Sequence, residues 1–290
     1  MTHLVAGLAL TLALAPGDAV TLRWKLKKGD TFYARSVVAI DQTIGVPGQT
    51  MDQEQTQTTV HRYKVLEAGD KGTVLEQTIV RTEVKGNLPM ADGLTDRMKG
   101  LILTYTLDPK GKVTKIEGYD AFVDKLAGDD ENLKKFFKAF MSKETLKIGV
   151  QDLLGFAPDE PVKPGDTWKR KYDMSLGPIG RFVMNANCKY AGPSDGLEKV
   201  TYTADAKFSP PDDGADGGLW FTITKGDLKA EKFEGTLLFD LAAGRLKESR
   251  TLTRLGGKLT VSINGMEVEL EFTQNLKATV TVSASNLADD

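Results

Sequence analysis

The chain has 290 residues, with 38 Lys and Arg against 40 Asp and Glu, and a formal net charge of −2 at pH 7. This length allows a hydrophobic core that needs no disulfide or metal to hold it together. Because acidic and basic residues are interleaved and nearly balanced, the composition excludes nucleic acid as an expected partner.

The first nineteen residues differ in composition from all that follow. The stretch from Leu4 to Ala15 is almost entirely apolar, has the length of a signal-peptide hydrophobic region, and is too short to span a bilayer. Small residues follow, with cleavage expected after Ala19 or Ala15. We predict that residues 1–19 are a signal peptide and that the mature bacterial protein is periplasmic or secreted, with no membrane span. The alternative is a hydrophobic N-terminal strand.

A short turn sequence occurs twice and opens each half of the chain. The first copy is Gly29-Asp30-Thr31-Phe32, and the second is Gly165-Asp166-Thr167-Trp168. In each copy the glycine is free in φ, the aspartate can bond nearby backbone, and a Thr–aromatic pair starts a strand. A second turn sequence, around Gly111 and again around Gly244, follows each copy at nearly the same offset. The matched spacing of the two landmarks predicts an internal duplication.

Strand patterns dominate the first half. Predicted strands cover residues 20–26, 32–44, 51–66, 73–84, 101–107 and 112–117. The tight loops between them contain Gly, Pro and Asp, which is typical of an antiparallel meander. A short helix is predicted at residues 92–99.

The period of the apolar residues changes in the middle of the chain. One stripe recurs at i, i+3, i+4, i+7 and i+8, as on one face of an amphipathic helix. It consists of Leu133, Phe136, Phe137, Phe140 and Met141. The stripe either packs as core against the sheet or lines a cavity between helix and curved sheet, where Phe and Met provide adaptable apolar lining. Two further helices are predicted, at residues 119–126 and 146–154.

The second half is more plainly β. Predicted strands cover residues 167–176, 181–190, 199–208, 219–225, 229–240, 245–255 and 259–263. Asn264-Gly265 then predicts a tight hairpin into the last strand, which alternates apolar and polar residues from Met266 to Val282 with only Gln274 out of pattern. A strand of this length reaches about 56 Å and therefore has to twist and curve.

Candidate catalytic residues are few. Apart from the expected signal, His61 is the only histidine and Cys188 is the only cysteine, which excludes an intramolecular disulfide and disfavours a nucleophilic triad. We expect His61 to be structural and Cys188 to be a small core residue. Asp212, Asp213 and Asp216 share one Gly-rich loop, so this loop is either a calcium site or a solvated acidic loop. The sequence contains no further signal for a metal, and no cofactor is expected.

The chain resembles an uncharacterised family of exported bacterial proteins found in planctomycete- and Bacteroidetes-type genomes. The resemblance is carried by the segment Leu22-Arg23-Trp24-Lys25-Leu26, by the two Gly-Asp-Thr-aromatic openings and by the closing β meander. It implies no catalytic residues. Long curved strands with helices against one face also look like the periplasmic lipoprotein carriers of the Lol type, which is an analogy of architecture alone.

The sequence therefore predicts an α+β protein that is mainly antiparallel β. About eleven or twelve long curved strands are expected in two related halves, at residues 20–118 and 161–290. The helical segment and connector between them, residues 119–160, are expected to pack on one concave face within a single compact domain.

The predicted function is non-enzymatic binding of an apolar or amphipathic, lipid-like molecule between helices and sheet. The first alternative is an interaction or structural module whose partner is a protein of the cell envelope. The second is an extracytoplasmic enzyme.

Overall fold

The computed structural model describes residues 18–86, 93–175, 177–211 and 221–288. This part forms eleven strands: β1 (Thr31–Val46), β2 (Gln49–Gly69), β3 (Gly72–Gly86), β4 (Ile102–Leu107), β5 (Val113–Glu117), β6 (Thr167–Ser175), β7 (Arg181–Ser194), β8 (Leu197–Ser209), β9 (Thr222–Asp240), β10 (Arg245–Ile263) and β11 (Met266–Ser283). Its helices are α1 (Leu94–Met98), α2 (Tyr119–Ala127), α3 (Glu131–Phe140) and α4 (Lys143–Leu154), with a 3₁₀ turn at Gly177–Ile179.

All eleven strands belong to one sheet with the order β5-β4-β3-β2-β1-β11-β10-β9-β8-β7-β6. Every pairing between neighbours is antiparallel. The first and last strands, β1 and β11, pair from Tyr33↔Ser283 to Gly45↔Glu271 and so join the two halves. The prediction of a mainly antiparallel β protein is confirmed, and both halves contribute to the same sheet.

One face of this sheet carries the hydrophobic core, and we call it the core face. On β1 it includes Phe32 and Ala34, which lie opposite Tyr63 and His61 on β2. Val282 of β11 pairs with Ala34 and lies on the same face. Between the β-bulges, the alternation of side chains along each strand assigns every second residue to this face and the others to the opposite face. We call the opposite face the solvent face, although Val60 on it is only 1% exposed.

The two Gly-Asp-Thr-aromatic turns have the same hydrogen bonds. In the first, Lys27 N donates to Asp30 Oδ2 at 2.8 Å, Gly29 N to Val65 O at 2.8 Å, and Val65 N to Asp30 O at 2.9 Å. In the second, Lys163 N donates to Asp166 Oδ2 at 2.8 Å, Gly165 N to Tyr190 O at 2.8 Å, and Tyr190 N to Asp166 O at 2.9 Å. Both glycines have positive φ, 92° and 100°, as the turn requires. Each turn fixes the first strand of its half against the second.

Helices α3 and α4 begin at polar N-cap residues, and α4 begins three residues before the predicted range. Asp130 accepts from the amides of Asn132 and Leu133 at the start of α3, and Ser142 accepts from Thr145 N at the start of α4. These are ordinary N-caps that satisfy otherwise unpaired amides. The predicted helices at residues 92–99, 119–126 and 146–154 correspond to α1, α2 and α4.

Three clusters of buried side chains make up the core. One joins α2, α3 and α4 to core-face residues of β2–β5, including Leu75, Tyr105 and Phe122. A second joins the N-terminal segment and α4 to strands of both halves, and a third lies within β7–β10, around Phe182 and Phe208. The core is therefore distributed along the sheet and is continuous across the two halves.

Helix α4 contacts the strands at both ends of the sheet. Gln151 Oε1 accepts from Val113 N of β5 at 3.3 Å, while the next residue, Asp152, forms an ion pair with Arg170 of β6. Just beyond α4, Phe156 O accepts from Trp168 Nε1 at 3.3 Å. Helix α3 contacts the 3₁₀ turn between β6 and β7. Within the described ranges, no helix has both the length and the hydrophobicity needed to cross a bilayer.

The strand predicted at residues 20–26 is wrong. Its apolar side chains do reach the core, with Leu22 only 3% exposed. The backbone instead makes an isolated bridge between Val20 and Val162 and a bond from Lys25 N to Gly244 O, so it crosses other loops outside the sheet.

The division of β9 and β10 into shorter strands is also wrong. Residues 226–228 and 256–258, which include three glycines, are predicted to lie between strands, but they lie inside β9 and β10. Gly257 has φ 148°, and a Cβ there would lie 2.0 Å from Asp227 O. The pairing shifts register at Arg254/Leu255 and Thr260/Val261. Glycine here permits bulges and close strand contact, which bend a strand without ending it.

Candidate functional site: the core face of the sheet

The predicted ligand-lining stripe lies on α3 and its C-terminal end. Phe137 is buried at 4% exposure, whereas the other members, Leu133, Phe136, Phe140 and Met141, are half-buried. The Phe136 ring lies 5.5 Å from the Phe137 ring and 4.4 Å from the Phe140 ring, measured between centroids. The stripe packs beside the cluster of β2–β5. Its role in binding a ligand stays a prediction.

The predicted calcium residues, Asp212, Asp213 and Asp216, lie outside the described residues. In the part of the chain that the structure does describe, no group of three or more His, Cys, Asp or Glu side chains is arranged to hold a metal.

Small and polar side chains occupy the middle of the core face, between the apolar clusters. They come from strands of both halves: Ser36, Gln57, Ala204, Thr251 and Ala278. All five are half-buried although they lie on the face that carries the core. Tyr202 of β8 reaches into this group of residues, and its hydroxyl lies 2.6 Å from Thr251 Oγ1.

A ladder of glutamine amides crosses three adjacent strands on the same face. Gln274 Nε2 of β11 donates to Gln42 Oε1 of β1 at 2.9 Å, and Gln42 Nε2 donates to Gln53 Oε1 of β2 at 3.4 Å. Gln274 is the residue that interrupts the apolar phase of the last strand. The ladder explains the interruption, because each amide has a partner at the matching position of the next strand.

A buried polar chain lies further along the core face. Tyr105 OH donates to Gln77 Oε1 at 3.0 Å, and Gln77 Nε2 donates to Tyr63 OH at 2.8 Å. Burial raises the pKa of both tyrosines above the ordinary value, so they remain neutral donors and acceptors. Tyr63 also stacks on Phe32, with ring centroids 4.9 Å apart.

His61 lies beside this chain, with its ring centroid 6.1 Å from that of Tyr63. Burial lowers its pKa from 6.5 to about 4, so the imidazole is neutral at pH 7. Cys188 is buried at 3% exposure, and burial raises the pKa of its thiol. The thiol therefore stays protonated, as expected for a small core residue and unlike a nucleophile.

Asp152 of α4 and Arg170 of β6 form an ion pair beside the core face. Arg170 Nη2 lies 3.6 Å from Asp152 Oδ1, with side-chain exposures of 18% and 49%. The Arg170 guanidinium also lies over the Tyr172 ring, 4.6 Å from its centroid. Burial raises the pKa of Asp152 to about 6 even though Arg170 acts in the opposite direction.

Neither this ion pair nor the glutamine ladder is predicted from the sequence. Asp152 and Arg170 belong to elements predicted separately, and Gln42 and Gln274 are 232 residues apart. The one usable signal was Gln274 itself, a polar residue in an otherwise apolar phase.

Two concavities lie at the twin turns. The first, of about 240 Å³, is lined by Trp24, Asp30 and Arg245 among others. The second, of about 460 Å³, is more open and includes Pro161 and Asp166 in its lining. Trp24 Nε1 is buried and has no hydrogen-bond partner among the described residues. These concavities are separate from the ladder and the ion pair.

The described residues form a single antiparallel sheet whose two edge strands both contact α4, with a group of small and polar side chains on its core face. Residues 49–216 match a family described as a family of unknown function (DUF6263). Because the match covers more than half of the chain, the protein belongs to this family. The resemblance to an uncharacterised family is thereby confirmed. No curated protein matches the sequence.

Similar solved structures have low identity. A lipovitellin structure that concerns lipid–protein interactions is 10% identical, with a TM-score of 0.46 over 91% of this chain and 26% of that one. An outer membrane channel from Pseudomonas putida F1 is 10% identical, with a TM-score of 0.23 over 93% of this chain and 100% of that one. DynF from the dynemicin pathway of Micromonospora chersina has 10% identity and a TM-score of 0.21, over 96% and 92%. The chain spans about a quarter of lipovitellin, and its function is inferred below from its own residues.

Proposed function

We propose that the chain is an exported, non-enzymatic binding protein that holds an apolar or amphipathic, lipid-like molecule on its core face. The observation that carries this proposal is a row of half-buried apolar side chains on two central strands, β1 and β11: Val38, Ile40, Phe272, Leu276 and Val280. Apolar surface gains about 25 cal/mol per Å² when it is covered. A bound acyl chain would cover this row without displacing any strand.

The core face is proposed to be concave and to curve around the helices. Its two edge strands, β5 and β6, are ten places apart in the sheet, yet consecutive residues of α4 bond to both. Sheets twist, and large ones curl. Curling brings the edges to one helix and leaves a recess between α3, α4 and the small and polar side chains of the core face. Half-buried residues of the α3 stripe would then cover the bound molecule.

The two halves are proposed to be copies of one ancestral meander. Identical hydrogen bonds at the turns before β1 and β6 support this. The strand order supports it too, because β1–β5 and β6–β10 follow in the same sense with β11 between them. Duplication would build a sheet twice as wide as one copy, wide enough to surround a ligand.

The test compares two substitutions on β1. Ile40 lies on the core face and Val37 on the solvent face, and both are half-buried. We expect the wild-type protein to bind a fluorescent fatty-acid analogue and to release lipid on extraction after native purification. Ile40→Asn should weaken probe binding about tenfold, which is about 1.4 kcal/mol. Val37→Asn should change it less than twofold.

Circular dichroism of both variants provides the control for folding. Phe137 is unsuitable for this test because a polar residue at so buried a position would disturb the core. Folded wild-type protein that binds no probe and yields no lipid would rule out the proposed function. Equal losses for Ile40→Asn and Val37→Asn would place any binding elsewhere.

A second candidate is interaction with a protein of the cell envelope. Met51 is 39% exposed and Met266 is 68% exposed, and they lie at the tips of the β1–β2 and β10–β11 hairpins. These tips are at the same end of the sheet, since β1 pairs with β11. Exposed Met side chains suit adaptable contacts. This candidate needs no bound lipid, so the extraction experiment separates the two.

A further inference from the structure

We propose that Arg170 anchors the anionic headgroup, a carboxylate or a phosphate, of the molecule held on the core face. In this proposal Asp152 is an internal counter-ion that the ligand displaces. The inference rests on the proposed function and names the chemical class of ligand. It depends on how Arg170 is placed, paired and surrounded.

Arg170 lies on the core face among neutral residues. It pairs with Ala186 of β7, which pairs in turn with Ala204 of β8. Trp168 and Tyr172 are its neighbours on the same face of β6. Two methyl side chains in the adjacent strands leave the guanidinium without bulky neighbours in that direction. Along Trp168–Tyr172 of β6 and the facing positions of β7 and β8, it is the only charged residue on this face.

The Arg170–Asp152 pair is loose. Hydrogen-bonded pairs of a guanidinium and a carboxylate close to about 2.8 Å and are often bidentate. The separation here is 3.6 Å between one nitrogen and one oxygen. Asp152 is half exposed and lies on a helix, whereas Arg170 is held over the Tyr172 ring. The guanidinium is therefore positioned by the Tyr172 ring, and the more exposed Asp152 makes only a long contact with it.

The chemistry of a guanidinium then selects the ligand. Its planar fork matches the two oxygens of a carboxylate or phosphate and remains charged at any physiological pH. When the site is empty, Asp152 compensates the charge of Arg170, whose side chain is only 18% exposed and would be costly to leave unpaired. When an amphipathic anion binds, its headgroup takes the place of Asp152. The other ionisable groups around Arg170 are neutral at pH 7: Tyr172, Cys188 and Tyr202 all have raised pKa values.

The experiment uses the full chain and displacement of a fluorescent fatty-acid analogue. Three unlabelled competitors share one chain length: a fatty acid, an alkyl phosphate and a fatty alcohol. We expect at least one of the two anions to bind about tenfold more tightly than the alcohol. The tighter of the acid and the phosphate identifies the headgroup.

Three variants test the anchor. Arg170→Gln should remove the preference for anions and leave the affinity for the alcohol within twofold. Asp152→Asn should strengthen anion binding severalfold, because it releases Arg170 from competition. The matched control is Arg181→Gln, which removes an exposed arginine that pairs with Asp173 at 3.5 Å. This control should keep the full preference for anions.

The outcomes separate the anchor from the function on which it rests. Wild-type protein that binds the alcohol as tightly as both anions would overturn the anchor and leave core-face binding intact. No binding of any chain would overturn the proposed function itself. If Arg170→Gln does not fold, Asp152→Asn decides alone: unchanged or weaker anion binding overturns the proposal.

Discussion

His61 shows how burial of one side chain makes stability depend on pH. Its pKa is about 4 in the folded protein and 6.5 in the unfolded chain, so between these values the unfolded state binds more protons. The stability that comes from keeping His61 neutral is complete above pH 6.5 and is lost as the pH falls towards 4. The loss is at most about 3 kcal/mol.

We expect His61→Gln to flatten the acid limb of the stability profile. The measurement is urea unfolding of wild type and variant between pH 4 and 7. Asp152 acts oppositely, because its raised folded pKa of about 6 favours the folded state as the pH falls below that value. The difference between wild type and variant cancels this contribution. A difference that does not change with pH would contradict the role assigned to His61.

At the residue scale, the sequence predicted which side chains are buried better than it predicted their hydrogen-bond and ion-pair partners. Cys188 was recognised as a core residue because a lone thiol in a strand is usually one. The partners of Gln274 and Asp152 could not be predicted, since they depend on which strand lies beside which and where α4 lies. A polar residue in an apolar phase indicated that some partner exists but did not identify it.

At the scale of elements, the twin turns make a paired prediction. Asp30→Ala and Asp166→Ala each remove one carboxylate–amide bond of 2.8 Å. A hydrogen bond of this kind contributes about 1 kcal/mol net. We expect the two substitutions to lower the free energy of unfolding by about the same amount, near 1 kcal/mol each. Asn at either position retains an acceptor oxygen and should recover most of the loss.

Chemical denaturation of the four variants checks this prediction. If only one of the two alanine substitutions lowers the free energy of unfolding, the two turns contribute unequally to stability despite their equal hydrogen bonds. This outcome would also weaken the case for duplication, because related turns should carry related energies.

Elements with strong local signals were predicted correctly. The apolar stripe correctly predicted helix α3, and Asn264-Gly265 correctly predicted the hairpin between β10 and β11. The errors at β9 and β10 have one physical cause. A glycine can end a strand, or it can let one bend and approach its neighbour closely. Gly226 and Gly257 let their strands bend and approach a neighbour closely. This could not be predicted, because it depends on which strands lie beside them.

At the scale of the whole molecule, β11 is the strand that unites the halves. It pairs with β1 on one side and β10 on the other over most of its 18 residues. Proline within a central strand removes a ladder hydrogen bond and costs about 3 kcal/mol or more. Ala278→Pro should therefore destabilise both halves together. Ala284→Pro, just past the strand, should cost less than about 1 kcal/mol.

The measurement follows unfolding by circular dichroism and by tryptophan fluorescence. We expect one coincident transition for the wild type and for Ala278→Pro, with the variant shifted to lower denaturant concentration. Two separated transitions in the variant would indicate that the halves fold independently, against the continuity of the core.

The strand count has a consequence for the helices. Antiparallel neighbours alternate in direction, so an odd number of them leaves the two outermost strands pointing the same way. No hairpin can link such strands, because the chain leaves β5 at the end opposite to the one where it must enter β6. Between β5 and β6 the chain therefore has to cross from one end of the strands to the other. The segment that contains α2, α3 and α4 makes this crossover connection, as the strand directions require.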